Sequence, residues 1–514
     1  MPTNEPRLYL LQVLLITAPA FILYGYNQAG LSALLSTPAV ARRFPTIDTV
    51  FTSGSQEERN STSKGAINAC FQLGALLGSL SCSYLGDSWG RRRTILLAAI
   101  LALLGQVLQA SAFSLAQLVV GRVMLGLGVG QLSVMVPVWQ SESAKSGNRG
   151  QQVITTGIFI CVGFSLTSWI NFGCSKAPYG ALQWRLPLAL PVIFSLAIAA
   201  SIMAFPESPR WLVLRGRTHD AVQALGTLKG LAWNDPRILS ELDEIERSLE
   251  AARNSSARTL PRLRNDHSRL WWRFTLCMVL QFFQQTCGGN LISIYTTEIF
   301  EQNLGLSGDL PQILAAASLT WKLACSFIAF AAIDRLGRRV LFIISGMGMT
   351  ICMVVMAVAT SFPTTNKPAS IGAATFIFIF NLCYPIGFLG GNFLYCTEIA
   401  PAHLRASMAS VSTANHWLWN FVVTMIIPLA LSTIGWRFYI VFASISACIP
   451  LVVYFFFPET SGCSLEAIDR VFKDAPTVSA IVPMARGLPH HEPSPASIEH
   501  SHEKDDGQEH REWA

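Results

Sequence analysis

The sequence predicts an all-α integral membrane protein: twelve transmembrane helices in two six-helix halves, with a cytoplasmic helical linker between the halves. Three observations carry this prediction. Apolar residues make up 51% of the 514-residue chain and charged residues only 13%, about half the charged share of an average soluble domain. A soluble globule of that composition would expose large apolar patches. Windows of about 20 predominantly apolar residues, enough to cross a bilayer as a helix, recur a dozen times. The polar motifs that punctuate those windows occur twice, half a chain apart.

The elements follow in order. The apolar run after Arg7 extends to about Leu35 and contains Gly25, Tyr26, Asn27 and Gln28, too long and too polar inside for a cleaved secretory leader, so it is the first span. The next five spans centre near Leu76, Leu103, Gly126, Cys161 and Leu196, completing a half over 1–205. Residues 206–270 are polar and arginine-rich. Within them Ile238, Leu242, Ile245 and Leu249 recur at helical spacing, which predicts surface helices. Six further spans centre near Phe283, Leu323, Met349, Phe380, Val422 and Val452, a second half over 271–472. The tail, 473–514, has too few apolar residues to fold and is expected to be disordered. Its histidines, among them His490, His491, His500, His502 and His510, stand among Glu, Ser and Pro.

Composition also narrows function. Most of the twelve cysteines lie inside apolar stretches without metal-ligand spacing, so they are small buried hydrophobes, and neither a metal nor a cofactor is expected. The net charge of +6 is spread over short breaks between apolar runs and forms no basic stripe interleaved with aromatics, which argues against nucleic acid. No nucleophile and base pair stands out, so an enzyme is not expected. The partners are the bilayer and a small solute, with the monomer as functional unit.

Arginine placement orients the chain, because short loops rich in Lys and Arg stay on the cytoplasmic side. Arg91, Arg92 and Arg93 follow the second span, Lys145 and Arg149 the fourth, and Arg335, Arg338 and Arg339 the eighth. Both termini are then cytoplasmic. Residues 39–63 fall outside, where Asn60-Ser61-Thr62 is a glycosylation acceptor.

The duplication is explicit. Asp87-x-x-Gly90-Arg91-Arg92 recurs as Asp334-x-x-Gly337-Arg338-Arg339, Glu142 with Arg149 as Glu398 with Arg405, and Pro206-Glu207 as Pro458-Glu459. Two parallel six-helix repeats with a site between them is an architecture of secondary transporters. Acids and guanidinium forks at the cytoplasmic ends can pair across the halves. Asp87, Arg91, Arg92, Arg122, Glu142, Arg149, Glu207 and Arg210, with Asp334, Arg338, Arg339, Glu398 and Arg405, are expected to form a latch that breaks for inward opening.

These motifs resemble the sugar porter family of the major facilitator superfamily, in particular fungal-type hexose transporters, over nearly the whole chain except the tail. The resemblance rests on Pro206-Glu207-Ser208-Pro209-Arg210-Trp211-Leu212, on Pro458-Glu459-Thr460-Ser461-Gly462 with Leu465-Glu466, and on Gly121-Arg122 with Gly126, Gly128 and Gly130. Pro137-x-Trp139-x-x-Glu142 also matches, with Trp139 where the family usually has Tyr. Ser83 and Ser88 replace the usual glycine and basic residue of the first loop motif. The resemblance implies the major facilitator fold and sugar transport.

The seventh span is the most informative. Gln281, Gln284, Gln285 and Gly288 share one helical face, and Gly288-Gly289 can break the helix. Neutral amides, each offering donor and acceptor, suit a neutral polyol. The resemblance implies that Gln284, Gln285 and Asn290 bind sugar hydroxyls and that Tyr295 helps close an outer gate. It likewise places Trp417 and Asn420 at the sugar, with His416 where another asparagine is usual. Gly390-Gly391-Asn392-Phe393 replaces a Pro-x-Pro-Trp turn, leaving Phe393 as a smaller stacking surface. Lys322 stands where facilitative glucose transporters carry asparagine, and Gly157 where a glutamine is frequent. At the coupling position, Gly25-Tyr26-Asn27 stands for the Gly-Tyr-Asp of proton-coupled relatives, and an asparagine cannot carry a proton. The expectation is a facilitative hexose-like transporter of the plasma membrane working by alternating access. Lys322 and His416 keep open proton-coupled transport of a sugar acid or quinate-like polyol, or export of a small specialised metabolite. A sugar sensor that signals through the tail is a further reading.

Overall fold

Bilayer-length apolar helices set the architecture. The structure, a computed structural model, describes residues 5–35, 37–143, 149–178, 180–256, 269–363, 365–401, 404–461, 463 and 465–487. Every regular element among them is helical. Eleven helices are long and apolar enough to cross a membrane: Arg7–Leu35, Ser55–Trp89, Arg91–Ala110, Leu115–Ser143, Thr155–Ser175 and Gly180–Ala204, then Leu310–Ile333, Arg338–Ser361, Lys367–Ile399, Ser407–Thr433 and Arg437–Phe456. The seventh span in chain order completes the twelve in two pieces, Leu270–Thr286 and Gly289–Ile294, broken at Gly288 with φ +94°. The tenth breaks in the same way between Phe388 and Gly391, with Gly390 at φ +97°.

Side-chain exposure shows where lipid would lie. On the third span Ile100, Leu104 and Val107 are exposed while Ala98, Ala99 and Ala102 are buried; on the ninth Ile351, Val354 and Val358 are exposed while Met349, Cys352, Met353 and Met356 are buried. Rows of large aliphatics at helical spacing facing outward fit a hydrocarbon solvent. The halves meet where the second span packs on the eleventh, the fifth on the eighth, and the first on the seventh.

The duplicated Pro-Glu motifs have a common structural purpose. Glu207 accepts hydrogen bonds from the backbone N–H groups of Arg91 (3.1 Å), Arg92 (3.2 Å) and Ser208 (3.0 Å). Glu459 accepts from those of Arg338 (2.9 Å), Arg339, Thr460 and Ser461 (each 3.0 Å). Each carboxylate thus caps the N-terminus of a helix in its own half, where unpaired N–H groups and the helix dipole favour an anion. Close approach requires glycine at the turn: a Cβ on Gly337, at φ +85°, would stand 2.6 Å from Glu459 Oε2, and Gly90 repeats the arrangement at φ +92° against Glu207. Gly337→Ala is therefore expected to cost about 1–3 kcal/mol, read as a lower melting temperature of the purified protein, whereas Gly308→Ala, at φ +72° with open space around it, carries backbone strain alone and is expected to cost less.

The linker forms helices Pro209–Leu214, Thr218–Lys229 and Pro236–Ser256. The expected apolar face is used, since Ile238 and Leu249 are buried. Trp211 Nε1 donates to Asp87 O at 2.8 Å, tying the linker to the first half. A further helix, Leu465–Asp474, docks on the second half through Arg273, whose guanidinium is 2.7 Å from Asp469 and lies over the Phe472 ring at 4.4 Å. Partial burial works against the Asp469 carboxylate, but Lys473 and Arg273 outweigh it and hold its carboxyl below the usual range.

The tail departs from expectation at its start. Residues 478–486 are helical, with Ile481, Val482 and Ala485 buried and Arg486 over the Tyr454 ring of the twelfth span. Three apolar side chains on one short face are enough to dock a segment on an existing surface although they cannot form a core. Residues 488–514, with the tail histidines, lie outside the described residues.

Candidate solute site and gates

The two broken helices, both in the second half, line one wall of a narrow cavity at the interface with the first half. The seventh span brings Gln284, Gln285, Asn290 and Ser293 to it, the tenth Tyr384, Leu389 and Phe393, the eighth Lys322 and the eleventh His416. The first half contributes Tyr24, Gln28, Ile160 and Phe164. Six of the eight residues expected to bind the solute therefore line one cavity. Asn420 and Trp417 stand behind it. Asn290 Nδ2 donates to Asn420 Oδ1 at 3.1 Å, and the Trp417 indole packs edge-on to His416 and donates to Ser133 Oγ at 3.3 Å in the other half.

The amides form one network. Asn290 Oδ1 accepts from Gln28 Nε2 at 3.2 Å across the halves, and Asn392 Nδ2 donates to Gln281 Oε1 at 2.9 Å. His416 Nδ1 lies 2.7 Å from Gln284 Oε1, an acceptor, and 2.9 Å from Gln285 Nε2, a donor, so this nitrogen has a partner in either tautomer. His416 Nε2 lies 2.8 Å from the Tyr24 hydroxyl, which can donate or accept. Two buried amide atoms of this network, Asn420 Nδ2 and Asn392 Oδ1, carry no hydrogen bond among the described residues. The glutamine missing at position 157 has a steric explanation: a Cβ on Gly157 would stand 2.8 Å from Leu389 O. The backbone of the broken tenth span occupies that space.

Lys322 is 1% exposed. Its Nζ donates to Ser293 Oγ at 2.7 Å and lies 4.8 Å from the Phe164 ring and 4.6 Å from the Tyr384 ring. Ser293 also lines a second cavity, between the first, fifth, seventh and eighth spans toward the end opposite the arginine clusters.

That opposite end is sealed. Tyr295, the expected gate, accepts from Asn68 Nδ2 at 3.1 Å and donates to Thr424 O at 3.0 Å, so it joins the second, seventh and eleventh spans. A buried ion pair, Lys64 to Glu298 at 2.6 Å, also crosses the halves, with Ser32 Oγ donating to the same carboxylate at 3.4 Å. Nearer the surface Lys176 pairs with Asp309. Neither pair was anticipated; the usable signal was that Lys64 and Glu298 each lie beside an apolar window, where an ionisable group requires a partner.

The latch needs three corrections. First, its described pairs stay within one half. Arg91 grips Glu142 through two parallel bonds, 2.9 and 3.0 Å, with Asp87 at 3.1 Å, and Arg338 meets Glu398 at 3.0 Å. Arg92 donates to Met203 O and Arg339 to Tyr454 O, again within their halves. Arg91 and Arg338 are also held by carbonyls of their own half, Gly86 O at 2.8 Å and Ile333 O at 3.2 Å. Second, Arg122 is not at this end. It donates to Asn27 O (3.4 Å), Asn68 O (2.8 Å) and Asn68 Oδ1 (3.0 Å) and lies over the Phe71 ring, beside the Tyr295 gate. Third, Arg210 opens the linker helix Pro209–Leu214, while the side chains of Arg149, Asp334 and Arg405 lie outside the described residues.

Two other expectations meet the geometry differently. The Asn27 amide donates to Leu23 O within its own helix at 2.9 Å, so Arg122 meets its backbone and not its side chain. The glycosylation acceptor Asn60 is buried inside the helix Ser55–Trp89, and its Nδ2 donates to Asp48 O at 2.7 Å. A nitrogen held this way is covered, contrary to the exposed loop expected of a sequon.

Comparison with known proteins places this architecture. The sequence profile described as "Sugar (and other) transporter" matches residues 13–472. The MFS-type transporter oryC of Aspergillus oryzae is 33% identical over 462 residues, covering 89% of this chain and 84% of its own. The sugar transporter STL1 of Saccharomyces cerevisiae is 31% identical over 459 residues, 88% of this chain and 80% of its own. In fold, the chain superposes on the proton:xylose symporter XylE bound to 6-bromo-6-deoxy-D-glucose with a TM-score of 0.77 at 23% identity, covering 90% of this chain and 98% of that one. The twelve helices are those of the major facilitator fold, and the chain belongs to the sugar (and other) transporter family, whose members move solutes across membranes and are not enzymes.

Proposed function

We propose that the chain is a facilitative transporter of a monosaccharide-sized, polyhydroxylated solute, working by alternating access in the plasma membrane with both termini cytoplasmic and the monomer as functional unit. The observation that carries the reading is the amide network of Gln284, Gln285 and Asn290 lining a cavity between the halves. Amides supply paired donors and acceptors for adjacent hydroxyls, and a cavity between two halves is reached from either side as the halves rock. Asn27 supports uncoupled transport, because no carboxylate stands at the position where a proton would be carried. The resemblance to hexose transporters and the similarity to STL1 point to the same solute class.

The test is counterflow in proteoliposomes preloaded with unlabelled solute, using labelled D-glucose and labelled D-glucuronate in separate runs. At least one is expected to exchange, Gln284→Ala is expected to reduce that exchange at least about tenfold, the worth of one lost hydrogen bond in a dry site, and an imposed proton gradient is expected to leave the final level unchanged. Failure of both solutes to exchange with folded protein overturns the reading.

A further inference from the structure

We propose that the transported solute carries a carboxylate that pairs with Lys322, so that the site selects a polyhydroxy acid over its neutral counterpart. The inference rests on the reading of the cavity as a site for a sugar-like solute and names its charge. An ammonium has three donors and no acceptor. Ser293 takes one of the three at 2.7 Å, the rings of Phe164 and Tyr384 face the charge, and among the described residues no carboxylate lies within ion-pair distance.

The treatment of the other buried cations makes Lys322 an exception. Lys64 has Glu298, Arg91 has Glu142, Arg338 has Glu398 and Arg273 has Asp469. Arg122 and Arg339 also lack a carboxylate ion pair, but three amide oxygens hold the Arg122 guanidinium, Tyr454 O accepts from Arg339, and neither lines the cavity. Lys322 does line it, and the lining contains no aspartate or glutamate. His416, the other titratable base there, spends one nitrogen on Gln284 and the other on Tyr24. The wall therefore presents one positive charge facing amides and hydroxyls. Burying an unpaired ammonium is costly, and a solute carboxylate entering this dry space removes that cost while its hydroxyls meet Gln284, Gln285 and Asn290. The aromatic faces hold the ammonium in place until then.

The experiment compares two isosteric pairs in counterflow with the full-length protein, D-glucuronate against D-glucose and D-gluconate against D-glucitol. The expected result is that at least one acid exchanges at least tenfold faster than its neutral partner, that Lys322→Gln removes this preference, and that Lys322→Arg retains part of it. Neutral solutes exchanging as fast as their acids, with Lys322→Gln leaving the ratio unchanged, overturns the charge assignment and leaves the sugar-like reading standing. No exchange of any of the four overturns both. Should Lys322→Gln fail to fold, wild-type protein still decides: the acid is expected to raise the melting temperature where the neutral isostere does not, and equal shifts overturn the proposal.

Discussion

Replacing Lys64 by methionine is expected to unseal the end of the protein opposite the arginine clusters. The substitution leaves the Glu298 carboxylate buried between the halves without its cation, and removing one member of a buried pair costs about 3–5 kcal/mol. That cost falls only on the sealed state, because in the opened state water reaches the carboxylate. The sealed population should drop at least about a hundredfold relative to the open one. A cysteine placed at Ala33, in the wall of the second cavity, reports it through labelling by a membrane-impermeant maleimide, with the protein bearing only its native cysteines as blank. Labelling should accelerate in Lys64→Met and return toward the parent rate in Lys64→Met/Glu298→Met, where two apolar side chains replace the pair. Unchanged labelling in the single variant shows that Tyr295 and packing hold the seal without the ion pair.

The second large effect concerns stability. Arg91→Leu and Arg338→Leu each strand a carboxylate, Glu142 or Glu398, and each is expected to cost about 3–5 kcal/mol. Because each cluster closes within its own half, the two losses should add to within about 0.5 kcal/mol in the double variant. A bond from one half to the other would instead make the second substitution much cheaper than the first. Reversible unfolding in a mixed detergent and denaturant series distinguishes these outcomes.

Much of this structure was legible in the residues. Hydropathy windows placed the spans within a few residues, the duplicated Pro-Glu and Gly-Arg-Arg motifs fell at matching helix ends, and the spacing of Gln281, Gln284 and Gln285 placed two of the three at the cavity. What escaped depends on how separate helices meet. Lys64 and Glu298 are 234 positions apart in sequence, and no local pattern announces their pairing. The misplacement of Arg122 was avoidable: it stands twenty residues before Glu142 on one continuous helix, Leu115–Ser143, which at 1.5 Å per residue separates them by about 30 Å, a full membrane thickness. Asn60 shows the opposite limit, since a three-residue motif specifies chemistry but not whether its amide is free to react.

Among the described residues, both ion pairs that join the halves, Lys64 with Glu298 and Lys176 with Asp309, stand at the same end of the molecule, while the described pairs at the other end, Arg91 with Glu142 and Arg338 with Glu398, lie within their own halves. Such a carrier is not symmetric toward the two compartments it connects. A solute arriving at the ionically sealed face finds a competent site only in the fraction of molecules that has opened there, and its half-saturating concentration rises by the inverse of that fraction. Every 1.4 kcal/mol held in the seal makes the protein about tenfold less sensitive from that side than the site's intrinsic affinity allows. One buried ion pair can thereby set the concentration range over which the carrier responds from that side, without touching the solute.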